Sequence, residues 1–233
     1  MPRASHGPVT SPHASRAWWH HVPVTHLAHD ERLRLCDTLE QVGPDAPTLC
    51  SPWTTRDLAA HLAWREAVTD LSPSQLLKVV TGRARAAAYA AMEWPALVET
   101  VRSGPPASSP LAMAAVDERA NTAELFIHHE DVRRAVPGWS RRTVPAELEV
   151  ALWRTVGLFG RRTFRAAPVG VELVAPGRAP KRVKTATDAG WVRVLGSPGE
   201  LALYCSGRQR AARVELFGSS PAATAALTEF GRR

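Results

Sequence analysis

Apolar residues along 27–39 recur at helical spacing. Leu27, Leu35 and Leu39, with Leu33 and Cys36 adjoining, predict one amphipathic helix ending near Gly43-Pro44. Residues 44–52 read as a turn-rich loop. Thr54 followed three residues later by Asp57 resembles a capping box with Asp in the usual Glu position, and opens a helix through about Arg65. On that helix Leu58, His61, Leu62 and Arg65 share a face, so the spacing points His61 inward with the leucines. Ser72-Pro73 starts a further helix, the Ala-rich run 83–92 predicts another, and Pro95 kinks or restarts it toward Val101. Residues 104–110 are a loop rich in Pro and Ser. A long helix follows over 111–135, closed by Pro137-Gly138.

After Gly138 the period changes. Residues 145–164 still read as helix, but 169–174, 181–187 and 191–195 alternate like strands, separated by Pro-Gly and Asp-Ala-Gly turns. Residues 198–205 predict a short helix, 212–217 a strand and 221–230 a closing helix. The expected class is α+β: a tail over 1–23, a four-helix bundle over 24–138 and a smaller α+β domain over 139–233. No internal repeat is present.

The charge distribution supports that division. Residues 1–135 carry 13 Lys+Arg against 15 Asp+Glu, and residues 136–233 carry 16 against 7. The basic C-terminal part would favour an anionic small substrate, or nucleic acid, or serve solubility alone. It has no helix-turn-helix and no aromatic-interleaved basic stripe, which argues against nucleic acid. Only Lys78, Lys181 and Lys184 are lysines among 29 basic residues. With the abundance of Ala and Pro, that bias suggests a GC-rich, actinobacterial coding sequence. No apolar run approaches bilayer length, and the first 24 residues lack the apolar core of a secretory signal. The cysteines, Cys36, Cys50 and Cys205, are odd in number and widely spaced, which suggests reduced thiols in a cytoplasm.

The candidate chemistry is a metal site. Glu124 and His128 lie four apart on the long helix, one above the other, and His61 from a facing helix would complete a His₂Glu set. Such a set leaves one coordination position open. Each residue has an ordinary alternative: His61 as a packed core histidine, Glu124 and His128 as an i,i+4 pair on a solvated face. The polar strip Asn121, Glu124, His128, Asp131, flanked by Leu125 and Val132, places these groups at a core edge, where an uncompensated carboxylate is costly. Asp131 is placed to orient the His128 ring, or else to pair with Arg133 or Arg134. His129 and Glu130 turn away from the ligand face. No HExxH is present, against a zincin protease.

The segments Trp53-Thr-Thr-Arg-Asp-Leu-Ala-Ala-His61-Leu and Glu124-Leu-Phe-Ile-His128-His-Glu-Asp131-Val-Arg-Arg resemble the mycothiol-dependent maleylpyruvate isomerase family of the DinB-like metal-binding superfamily. The likeness spans about 24–136, and carried over by position it places the metal ligands on His61, Glu124 and His128. The C-terminal part resembles, more loosely, a sterol-carrier-like α+β module. There Leu203-Tyr-Cys-Ser-Gly207-Arg208 matches a segment whose arginine faces the site. The chain looks closer to an uncharacterised metal-binding branch than to the isomerase itself.

The resemblance implies zinc as the divalent metal and mycothiol as thiol cosubstrate, activated for isomerisation, S-transfer or conjugation of a small electrophile. Arg208 would hold an anionic substrate, or cap a helix end as a structural residue. None of the cysteines lies in a nucleophile motif, so the thiol is expected from the cosubstrate. The alternatives are a zinc-dependent hydrolase using Asp131 as base and a metal-containing binding module without turnover.

Overall fold

A computed structural model describes residues 26–67 and 83–231. The tail expected over 1–23 and the helix expected from Ser72-Pro73 lie outside those residues. The N-terminal part is helical: α1 (Leu27–Val42), α2 (Thr55–Glu66), α3 (Arg83–Ala90), α4 (Trp94–Ser103) and α5 (Ala114–Arg133). The capping box at α2 is present. Thr54 Oγ1 accepts from the Asp57 N–H, and the Asp57 carboxylate accepts from the Thr54 N–H at 2.9 Å. Pro95 restarts the chain as α4, in whose first turn a missing N–H costs nothing. The long helix begins later than its pattern suggests. Pro110–Ala112 forms a separate 3₁₀ turn, opened by Ser109 Oγ, which accepts from the Leu111 N–H at 3.3 Å.

α1 packs along α5 and α4, and α2 along α3 and α4. Leu35, Leu39, Leu58, Leu62, Leu97 and Val101 bury together with Leu125 and Val132 of α5. α5 also serves a second core, to which it sends Ala123, Phe126 and Ile127. With two apolar faces committed, its polar strip is confined to the edge between them.

The C-terminal part comprises α6 (Ala146–Thr163), β1 (Gly170–Val174), β2 (Lys181–Lys184), β3 (Trp191–Leu195), α7 (Pro198–Cys205), β4 (Glu215–Gly218) and α8 (Pro221–Phe230). The sheet order is β2-β1-β3-β4. β1 and β3 are parallel, and the outer pairs are antiparallel. Val171, Leu173, Val192 and Val194 point to one face, which α6 and α8 help to cover. Gly160 lets α6 approach: a Cβ there would lie 2.8 Å from Val183 Cγ1. The expected strand over 212–217 is shorter than its pattern. Ala211 and Ala212 turn back onto the Arg208 carbonyl, and the Arg213 N–H bonds Glu200 at 2.7 Å, so no ladder forms before Glu215.

Residues 139–145 lead into α6 without helix or strand, and buried charges tie this connection down. Arg142 reaches Glu31 of α1 and, through Nε at 2.7 Å, Glu130 of α5. Arg134 donates to Glu130 at 2.5 Å and, through two nitrogens at 2.9 Å, to Glu200 of α7. Glu31, Glu130 and Glu200 are buried, and each has a guanidinium partner that offsets its desolvation. No helix among the described residues is long and apolar enough to cross a membrane.

Candidate metal centre

α2 and α5 bring His61, Glu124 and His128 together at the core edge. His61 Nε2 lies 3.7 Å from Glu124 Oε1, and His128 Nε2 lies 3.2 Å from the same oxygen. The two imidazoles meet edge to face at 5.5 Å, and one donor atom from each of the three side chains lies within 4.8 Å of the others. A tetrahedral zinc about 2.1 Å from each donor would set those donors about 3.4 Å apart. The observed 3.2 and 3.7 Å bracket that value, so the donor set is compatible with a single cation.

Burial differs from the expectation that His61 follows the leucines inward. Leu58 and Leu62 are fully buried, whereas the side chains of His61 and Glu124 keep 19% and 29% of their exposure. His128 is buried. The centre therefore has one open side. Trp53 packs on His61 with ring centroids 5.1 Å apart and limits water from that direction.

The electrostatics favour an ionised Glu124 beside a protonated His128. Burial pushes the Glu124 carboxyl up, but hydrogen bonds from His128 and His61 and the charge of Arg65 hold it well below the usual range. Burial pushes His128 down, but hydrogen bonding to Asp131, Cys50 and Glu124 draws it well above that of a free imidazole. A cation would take the place of that proton at Nε2.

Behind His128, Nδ1 donates to Asp131 Oδ2 at 2.9 Å, which leaves Nε2 turned to Glu124. Sequence spacing offered Arg133 or Arg134 as partners of Asp131, but Arg133 pairs with Glu130, and Arg134 with Glu130 and Glu200. The partner of Asp131 is Arg208, through Nε at 2.8 Å and Nη2 at 2.6 Å. Burial pushes the Asp131 carboxyl up, yet His128 and Arg208 hold it far below the carboxylate range.

Two further residues belong to the site: Cys50, which had no sequence signal, and Arg65, whose spacing put it on the face of His61 without showing its partner. Cys50 donates to Asp131 Oδ2 at 3.1 Å, and Arg208 Nη2 lies 2.9 Å from its sulfur. Its loop is fixed by the Leu49 N–H on the Asp131 carbonyl at 3.0 Å, a contact across the chain that local sequence does not encode. Cys50, His128 and Asp131 form a second donor set within 4.8 Å, but the Arg208 guanidinium already supplies the positive charge there. Arg65, one turn after His61, places Nε 3.5 Å from Glu124 Oε1 and is anchored on Asn121 and the Ala120 carbonyl. His129 and Glu130 face away from the ligands, as their spacing requires. His129 Nδ1 donates to Glu31 at 2.7 Å.

Comparison with solved structures returns two crystal structures of mycothiol-dependent maleylpyruvate isomerase, one of them a histidine-to-alanine mutant. Each covers 87% of this chain and 96% of its own, with a TM-score of 0.55. The chain has the fold of mycothiol-dependent maleylpyruvate isomerase. Sequence identity to these isomerase structures is 17% and 18%, so the likeness is one of architecture. It includes both the helical part and the α+β part. No family model and no curated protein matches the chain.

Proposed function

We propose that the chain is a metal-dependent enzyme that activates mycothiol toward a small electrophile, for isomerisation, S-transfer or conjugation. The observation that carries this is the meeting of His61 Nε2, Glu124 Oε1 and His128 Nε2 at the open side of the α2–α5 junction. Two imidazoles and a carboxylate are a zinc donor set, and an ion held by them would favour a bound thiol as thiolate. Isomerases of the same fold use mycothiol by name, which supports that thiol.

Each residue has a role in this account. Asp131 holds the His128 tautomer so that Nε2 presents its lone pair. Arg208 neutralises Asp131 and keeps one Nη1 hydrogen, beyond its bond to the Ser206 carbonyl, for an anionic substrate. Arg65 steadies Glu124. Trp53 shields one side. The division into a helical domain over 24–138 and a basic domain over 139–233 then assigns ligands to the first and the anion-facing arginine to the second.

The hydrolytic alternative asks Asp131 to accept a proton. Its carboxylate is buried between His128 and Arg208 and strongly disfavours one. A binding module without turnover would bind thiol and metal but consume nothing. The test is consumption of an electrophile, maleylpyruvate or a bimane dye, with and without mycothiol. Thiol-dependent turnover in the metal-loaded protein is expected. Equal rates with and without thiol would refute the proposal.

A further inference from the structure

A cleft of about 900 Å³ opens at the N-terminal end of α7, walled by Arg141, Arg178, Arg213 and Ser197. The helix runs from Ser197 in this cleft to the loop that carries Arg208, so the cleft and the candidate metal centre lie at opposite ends of α7.

All three arginines are presented by rigid supports. Arg178 closes the turn Ala175-Pro176-Gly177-Arg178, its N–H donating to the Ala175 carbonyl at 3.2 Å. Pro in second place and Gly177 at φ +67° in third give type II geometry, which a side chain at 177 would strain. Arg213 lies over the Trp139 ring at 4.8 Å, and the same ring also carries Arg134 at 4.4 Å. Arg141 places Nε 3.1 Å from Glu200 Oε1, and its Nη2 donates to Ser197 Oγ at 3.3 Å. Little ordering remains for the Arg141 and Arg213 heads on binding.

The nearby carboxylates offset them only in part: Glu200 pairs with Arg141, and Glu149, which accepts from the Gly199 N–H at 2.9 Å, acts on Arg141 and Arg178. Glu200 is buried and taken up by Arg134 through two nitrogens and by the Arg213 N–H. Glu215 is the one acid on the cleft wall. Among the described residues no carboxylate is hydrogen-bonded to the Arg178 or Arg213 guanidinium. A concave site with one dominant sign of charge concentrates counter-ions, and guanidinium forks match phosphate and carboxylate oxygens.

We propose that this cleft binds a small polyanion, a metabolite with two or more phosphate or carboxylate groups, independently of the thiol site. Its volume suits such a ligand. The test is calorimetric titration with inorganic pyrophosphate and with citrate at about physiological salt. The proteins are wild type, His61→Ala, Arg178→Ala/Arg213→Ala and Arg178→Glu. Saturable binding is expected in wild type and equally in His61→Ala, so a failed metal centre leaves the outcome intact. The double variant should bind about tenfold more weakly or worse, and Arg178→Glu should also bind more weakly than wild type. Preference for pyrophosphate would assign a phosphorylated ligand, and preference for citrate a polycarboxylate. Unchanged affinity in both Arg178 variants, absence of saturable heat, or tighter binding of a single-stranded oligonucleotide would overturn the proposal.

Discussion

Arg208 grips Asp131 through Nε and Nη2 at 2.8 and 2.6 Å, and Asp131 in turn accepts from Nδ1 of His128. A residue of the C-terminal part thus sets the ring of a histidine on α5, which joins the two halves of the chain at the candidate centre. Asp131→Asn keeps the shape and removes the charge. It is expected to weaken metal affinity about 10- to 100-fold, read by competition with a chromophoric chelator. Unchanged affinity would show that Asp131 has no part in the site.

Cys50 touches both Asp131 and Arg208, yet the reacting thiol proposed above is that of the cosubstrate. Cys50→Ser keeps a donor toward Asp131. Thiol-dependent turnover should stay within about threefold of wild type, since a neutral hydrogen bond is exchanged for another. Loss of a hundredfold or more would make Cys50 the nucleophile.

Glu31 is fully buried against His129 and Arg142. Burial pushes its carboxyl up, but hydrogen bonds from both partners hold it at about 2, below the ordinary 4.5. A lowered folded value favours the native state wherever the carboxylate is ionised. The stabilisation is therefore complete above about pH 4.5 and lost as pH falls toward 2. It is on the order of 3 kcal/mol. Urea unfolding across that window should show a steep loss in wild type and a flatter one in Glu31→Gln.

Gly160 faces Val183 Cγ1 at 2.8 Å and Leu173 Cδ1 at 3.2 Å from an added Cβ. In an exposed helix Gly→Ala would stabilise by up to about 1 kcal/mol. Here Val183 is β-branched and held in a strand, so overpacking costing about 1–3 kcal/mol dominates. Gly160→Ala should lower Tm; an increase would show that the sheet yields at this point.

The helices and their caps were legible because each depends on neighbours in sequence. Thr54 with Asp57, Pro95, and the apolar spacing of α1 all act within a few residues. The pairing of Glu124 with His128 was legible for the same reason, since four residues bring them to one face. Cys50 was not, because its role arises where a loop meets α5, and for Arg65 the spacing gave the shared face with His61 but not its partners Glu124 and Asn121 on α5. The strand expected from 212 begins only at Glu215 because Glu200, a distant residue, takes the Arg213 N–H. Asp131 was located by its spacing from His128, but its choice of Arg208 over the adjacent arginines follows from packing across the two halves of the chain.

The central claim is that His61, Glu124 and His128 hold one divalent ion. Elemental analysis of the purified protein beside His61→Ala and His128→Ala tests it most directly. About one equivalent of zinc or another divalent metal in wild type, and a marked loss in both variants that remain folded, is the predicted result. Equal, stoichiometric metal in all three proteins, or none in wild type after zinc loading, would contradict it.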